Sequence, residues 1–302
     1  MTDAVVPLAP VPPGSCRRLV YLGTPDVAVE PLRALVTAGF EVALVVTRVD
    51  KRRGRGSDLA PSPVKAAALE LGLPVSHAVD DVVDVGADLG VVVAYGQLIT
   101  RPVLERLAFV NLHFSLLPRW RGAAPVERAL LAGDDRTGVC LMLLEEGLDT
   151  GPVFARVEML VPMRATLASL RGTLIDEGSA LLVDQLRAGL GPPTPQQGEA
   201  TYAAKIDPAE LLLDWGRSSI DLDRRVRLGG AHTTFRGRRL KVLEAEPVDV
   251  AIGAPGTLEG LVVAAASGGL ALVTVQPEGK APQPATAWRN GARPQPGETL
   301  GG

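Results

Sequence analysis

From residue 17 to about residue 190, short apolar runs alternate with segments whose apolar positions recur at helical spacing. Residues 18–22 read as a strand. A helix starts near Pro25 and Asp26 and runs to Leu35. Residues 41–47 make a second, almost wholly apolar strand, and residues 63–71 are helical. Residues 88–94 contain the run Leu-Gly-Val-Val-Val. A run with no polar alternation predicts a strand buried on both faces, the habit of parallel sheets covered by helices. A strand over 109–115, a helix over 124–131, a strand over 139–144 and a long helix over 166–188 complete the pattern. Such strand-helix alternation predicts an α/β domain with a Rossmann-like open sheet.

The pattern then breaks. Residues 191–198 read Gly-Pro-Pro-Thr-Pro-Gln-Gln-Gly, which suits neither helix nor strand and predicts a linker. Beyond it, short strand-like runs at 240–243, 260–265 and 270–275 are separated by Gly and Pro, which predicts a small, mostly β domain, a barrel in form. The first fifteen residues, rich in Pro, Ala and Val, read as a disordered extension. The last twenty, which follow Pro282, carry Pro284, Pro294 and Pro296 and are expected to be poorly ordered. The expected organisation is an extension over 1–15, a first domain over 16–189, a linker over 190–204 and a second domain over 205–302.

Composition narrows the classes. A chain of 302 residues suits two domains. The formal charge of −3 means that any polyanion must be met by local basic patches. The two cysteines, Cys16 and Cys140, are far apart and form no Cys-x-x-Cys pair, which argues against a zinc site or a disulfide framework. No basic start is followed by an apolar run, and no stretch of ~18 apolar residues occurs. A soluble, cytoplasmic protein is expected.

The stretch from Asn111 to Gly151 carries the candidate chemistry. Residues two apart on a strand share a face, so Asn111 and His113 project together, at the carboxyl end where open α/β sheets bind ligands. Of the three histidines, His77 has no polar partner two residues away, and His232 sits between Gly-rich and Thr-rich loop residues. Asp149 lies in a Gly-Leu-Asp-Thr-Gly turn whose glycines allow a ligand to approach the backbone. Alone, the pair reads as an ordinary strand end and Asp149 as a turn former. Together they fit acyl transfer to an amine. That reaction needs an oxyanion stabilised and protons moved between nitrogens. An Asn amide and a His supply the first, and an Asp that orients the His serves the second. An α-amino group titrates near ~8, so a modest base suffices, with no Ser or Cys nucleophile and no metal.

Asn-x-His, the loop Ser115-Leu116-Leu117-Pro118 and the sequence Leu-Asp-Thr-Gly at 148–151, in this order and spacing, resemble the folate-dependent formyltransferases. The resemblance implies that Asn111, His113 and Asp149 are catalytic and that Ser115, Leu116, Leu117 and Pro118 contact folate. It implies that the segment with Tyr95, Gly96, Gln97 and Leu98 holds the pterin, largely through its backbone. The implied donor is 10-formyltetrahydrofolate, used as a co-substrate.

The likeness spans nearly the whole chain and is strongest to the branch of the family that acts on aminoacylated tRNA. It rests there on Gly23-Thr24-Pro25-Asp26, Gly54-Arg55-Gly56, the Ser115–Pro125 segment and Tyr202-Ala203-Ala204-Lys205-Ile206. It implies methionyl initiator tRNA as acceptor and an OB-like C-terminal domain, with no protein partner. Two basic segments fit a polyanion. One carries Arg48, Lys51, Arg52, Arg53 and Arg55 against Asp50. The other carries Arg224, Arg225, Arg227, Arg236, Arg238, Arg239 and Lys241 with no acid inside it. Two departures from the family pattern are a shortened 77–88 segment and 228–232, where an Asn-Pro segment is usual. The same core would also suit a sugar-nucleotide N-formyltransferase, a formyltetrahydrofolate hydrolase or, in another class, an inactive RNA-binding protein.

Overall fold

The computed structural model describes residues 8–52 and 59–301. Chain contacts divide it into two units. The first comprises residues 1–126, 136–160 and 171–204; the second comprises 127–135, 161–170 and 205–302. Residues 190–204, the expected linker, thus group with the first unit, and two short stretches inside the expected first domain group with the second.

The first unit is built on a seven-stranded sheet. Its order is Val153–Leu160, Arg136–Leu143, Phe109–His113, Leu89–Val93, Arg18–Gly23, Glu41–Val46, Val75–Ser76. The last five are parallel to one another. The sheet is mixed, because Arg136–Leu143 runs antiparallel to Phe109–His113, and Val153–Leu160 antiparallel to Arg136–Leu143. The central strands are sealed on both faces. Leu19, Val20, Tyr21, Leu22, Leu89, Val91, Val93, Phe109 and Val110 are all fully buried. Each such side chain contributes ~1.5–3 kcal/mol of transfer free energy. Gly90 is required by this packing, since a Cβ there would fall 2.0 Å from the Phe109 ring.

The edge strand Val153–Leu160 was not expected. From Ala155 onward its burial alternates, with Arg156 and Glu158 exposed, as on a half-covered edge. Residues 1–7 of the N-terminal extension lie outside the described residues. Of those that follow, Leu8 packs against the apolar cluster around Val103 and Leu104, and the Ala9 N–H donates to the Leu104 carbonyl.

The second unit contains an antiparallel sheet in the order His232–Phe235, Arg238–Val248, Gly269–Pro277, Val262–Ala264, Leu258–Glu259, with Gln283–Pro284 also pairing to Gly269–Pro277. The helix Ser219–Leu228 packs on it. Ser218 caps this helix by accepting from the Asp221 N–H, Asp221 lies in its first turn and Arg225 and Arg227 in its last, a charge order that complements the helix dipole. The helix ends at Gly229 with φ 91°, and the short Gly229–Gly230 link delivers the chain to the strand at His232.

The expectation of a poorly ordered last twenty residues is corrected. Ala285–Ala292 is a helix, Trp288 is buried edge-on against Phe235, and Leu300 is buried in the same core. The prolines flank the helix instead of interrupting it. Trp288→Ala should therefore cost ~3–5 kcal/mol in urea unfolding followed by circular dichroism, as for other large-to-small core changes. A cost below about 1 kcal/mol would place the C-terminal helix outside the core.

Candidate active site

Asn111 and His113 lie on the strand Phe109–His113, at the carboxyl end of its parallel neighbour Leu89–Val93. Asp149 lies in the turn between the last two strands of the sheet. The structure brings the three together. Asn111 Nδ2 donates to Asp149 Oδ1 at 3.3 Å, and His113 Nδ1 lies 3.6 Å from Asp149 Oδ2. All three are at most 9 % exposed. The Gly122 N–H donates to the same Oδ2 at 2.7 Å, the shortest contact of the carboxylate and one that motif reading missed. Asp149 has φ 52°, a left-handed conformation that Asp tolerates better than most residues.

His113 Nε2 lies 2.9 Å from the Trp120 carbonyl. A carbonyl only accepts, so Nε2 carries hydrogen and Nδ1 is the nitrogen turned toward Asp149. A proton taken up at Nδ1 meets a carboxylate. The second Asn111 N–H supplies a polar hydrogen beside a buried carboxylate, where such a group acts strongly on developing charge.

The expected folate residues fall into two groups. Ser115 and Leu117 turn inward: Ser115 Oγ donates to the Arg119 carbonyl at 2.6 Å, and Leu117 packs on Cys140 and Met142. Leu116 and Pro118 are half-buried. On the neighbouring loop, Tyr95 is buried, its OH donates to Gln97 Oε1 at 3.1 Å, and its carbonyl accepts from Thr24 Oγ1. Gly96, Gln97 and Leu98 are exposed. Burial pushes the Tyr95 hydroxyl up, with Arg48 opposing. Burial also pushes the Cys140 thiol up to about 11, so it is no nucleophile.

The basic segments divide by engagement. Arg48 is half-buried near Gly96. Lys65 grips Asp50 at 2.7 Å. For Lys51 and Arg52 only the strand backbone is described, and Arg53 and Arg55 lie outside the described residues. In the second segment, acids from outside the run engage most of the arginines. Arg225 pairs with Asp221, Arg227 with the buried Asp223, and Arg236 with Glu298 while stacked on Phe235. The Arg236 guanidinium holds the Glu298 carboxyl at about 2. Arg224 packs on Gly133, and Arg238 reaches Glu278 at 4.0 Å. Among the described residues, Arg239 and Lys241 have no ion pair; they share the outward face of one strand, since the intervening Leu240 is buried.

Two family models match the chain: formyl transferase over residues 17–186, and formyl transferase, C-terminal domain, over residues 205–293. The chain belongs to the formyltransferase family. Among its relatives is a methionyl-tRNA formyltransferase of Ruegeria pomeroyi, 43% identical over 293 residues, covering 91% of this chain and 97% of that protein. Proteins of the same name from Symbiobacterium thermophilum and Clavibacter sepedonicus are also 43% identical, covering 93% and 91% of this chain and 94% and 97% of theirs. The fold is similar to that of an N-formyltransferase from Helicobacter canadensis in complex with folinic acid and dTDP-3-aminofucose, with TM-score 0.66, 15% identity and coverage of 85% of this chain and 99% of that one. It is also similar to HypX from Aquifex aeolicus in complex with tetrahydrofolic acid, with TM-score 0.62, 17% identity and coverage of 91% and 47%. Among the described residues, no helix is long and apolar enough to cross a membrane, and no group of three or more His, Cys, Asp or Glu could hold a metal ion.

Gly122 has φ 112°, and a Cβ there would lie 3.1 Å from the Ala203 carbonyl. Gly122→Ala should therefore lose ~1–3 kcal/mol in stability through backbone strain, read in thermal unfolding. An unchanged melting midpoint would mean that the loop holding the Asp149 contact relaxes freely.

Proposed function

We propose that the protein transfers the formyl group of 10-formyltetrahydrofolate to the free amino group of methionyl initiator tRNA. The observation that carries this reading is the buried Asn111–His113–Asp149 cluster at the end of the sheet, in a chain about 43% identical over nine-tenths of its length to enzymes named for formylating methionyl-tRNA.

In the reaction the amine nitrogen forms a bond to the formyl carbon, the carbonyl π electrons move to oxygen, and the carbon–nitrogen bond to the folate then breaks. The amine loses a proton and the folate nitrogen gains one, so the balance closes with no metal or covalent enzyme intermediate. Asn111 Nδ2 and the His113 imidazole stabilise the oxyanion. Asp149 orients His113 and accepts the amine's proton through water. The exposed segment Gly96, Gln97 and Leu98, on the loop leaving the strand beside Phe109–His113, suits a flat heterocycle, as do the half-buried Leu116 and Pro118.

Arg239 and Lys241, with their charges unengaged among the described residues, are the members of the second basic segment best suited to phosphates, with Arg48 and the 51–55 cations serving nearer the acceptor end. The ion-paired Arg225, Arg227 and Arg236 serve the fold first.

The test offers the donor with methionyl initiator tRNA, methionyl elongator tRNA, an amino-sugar nucleotide and no acceptor in parallel. Formylation of the initiator is expected. Formate released equally in every tube would make the protein a hydrolase, and transfer to the amino sugar alone would move it to the sugar-nucleotide branch. Asn111→Ala and His113→Ala should each lower kcat by ~10²–10³, the cost of one oxyanion donor. Losses below tenfold for both would remove them from these roles. Arg239→Ala and Lys241→Ala should each flatten the slope of log affinity for tRNA against log salt by about 1. Unchanged slopes would take this strand face off the RNA path.

A further inference from the structure

We propose that Gln196 is a positioning residue for the formyl transfer, holding the Asp149 turn and the Arg121–Gly122 segment in register; this rests on the function proposed above. Gln196 lies in the Pro-rich stretch that reads as a plain linker. Its half-buried side chain reaches back to the site. The amide nitrogen donates to the carbonyls of Asp149 and Gly151, both at 2.8 Å. The amide oxygen accepts from Arg121 Nε at 3.1 Å and Nη2 at 2.6 Å. Both ends of the amide are therefore used, and no other side-chain type of this size offers two donors on one end and an acceptor on the other, Asn aside.

The contacts form a closed circuit. Asp149 Oδ2 accepts from the Gly122 N–H, Gly122 follows Arg121, Arg121 grips Gln196, and Gln196 grips the backbone of Asp149. The two loops so joined carry different parts of the cluster. One supplies the Trp120 carbonyl that fixes His113 Nε2 and the N–H that fixes the carboxylate; the other supplies the carboxylate itself. The Asp149 backbone is left-handed at φ 52°, a conformation uncommon outside glycine though tolerated by Asp, and the Gln196 amide bonds its carbonyl there. Neighbouring contacts give the clamp a fixed base. Thr194 and Val153 exchange two backbone hydrogen bonds of 2.8 Å, Trp120 N donates to Thr201 Oγ1 at 2.9 Å, and Tyr202–Ala203 pairs in parallel with Arg121–Gly122. Gln196 acts through Asp149, and its side chain need touch neither donor nor acceptor.

Gln196→Glu is the informative change. It is nearly isosteric and still accepts from Arg121, but it has no hydrogens for the two carbonyls and sets an anionic oxygen against them. The expected result is a fall in kcat of ~10–100-fold, the scale on which misplacing a catalytic group by ~1 Å acts. KM for donor and tRNA should stay within about threefold, and the melting midpoint within about 3 °C. In single turnovers, adding Gln196→Glu to Asp149→Asn should cost less than about twofold, because residues acting as one unit are not additive. If Gln196→Glu shifts the melting midpoint further, Gln196→Ala, which places no charge against the carbonyls, is read by the same criteria. Unchanged kcat in the variant, or a full additive loss on Asp149→Asn, overturns the assignment. Asp149→Asn and His113→Ala at near wild-type rates would instead overturn the underlying functional reading, so the two failures are told apart.

Discussion

A carboxylate removed from water must be met by hydrogen-bond donors or it does not stay charged. Asp149 is 9 % exposed, and two donors meet it, the Asn111 amide from a strand and the Gly122 N–H from the loop that follows, with the His113 ring 3.6 Å away. Each contact imposes a condition on the fold. Asn111 and His113 must share a face, which strand alternation provides. Gly122 must adopt a backbone closed to other residues, and the Asp149 turn must be left-handed. The sheet's double-sided burial makes those conditions rigid, since a one-residue slip of any central strand would send Leu19 to Leu22 or Leu89 to Val93 against the wrong neighbours.

The second unit meets a different demand, that of carrying many cations on a chain of net charge −3. It does so by engaging most of them locally. Asp223 is 3 % exposed and takes Arg164 on one oxygen and Arg227 on the other, while Glu298 takes both arms of Arg236. Breaking one partner of the buried pairs would strand a charge, so these arginines are bound into the architecture. What remains outward is a short cationic strip on a strand, weaker than the count of arginines suggests and more sharply placed.

The readable parts of the fold were those that a local pattern encodes. Continuous apolar runs marked the central strands because both their faces are covered, and helical spacing marked the segments at 63–71, 124–131 and 166–188. The antiparallel strand Val153–Leu160 was lost because its one open face carries Arg156 and Glu158. The C-terminal helix was lost because its prolines outweighed Trp288, whose partner Phe235 is 53 positions away. The same division holds at the site. Alternation put Asn111 and His113 on one face, but only their combination with Asp149, and the family resemblance of the motifs, marked the three as a site. Gly122 was silent because it contributes a backbone N–H across 27 positions, and Gln196 because its partners lie 45 and 47 positions back. The Asp221–Arg225 and Asp223–Arg227 pairs have i,i+4 spacing but went unread because the acids precede the basic run, and the Arg236–Glu298 pair, 62 positions apart, leaves no local signal.

The reach of residues 194–203 back onto the Trp120 and Asp149 loops sets a timetable for the newborn chain. Gln196 is made 47 residues after Asp149, an interval of roughly 2–10 s at ordinary ribosomal speed. The α/β sheet can be laid down before then, but the Trp120 and Asp149 loops at its end stay unbraced. The matched first domain ends at residue 186. A chain released there would hold every strand of the first sheet and still lack the contacts that brace the Trp120 and Asp149 loops. Those braces come with residues 194–203, made after the matched first domain and before the matched second one, which begins at residue 205.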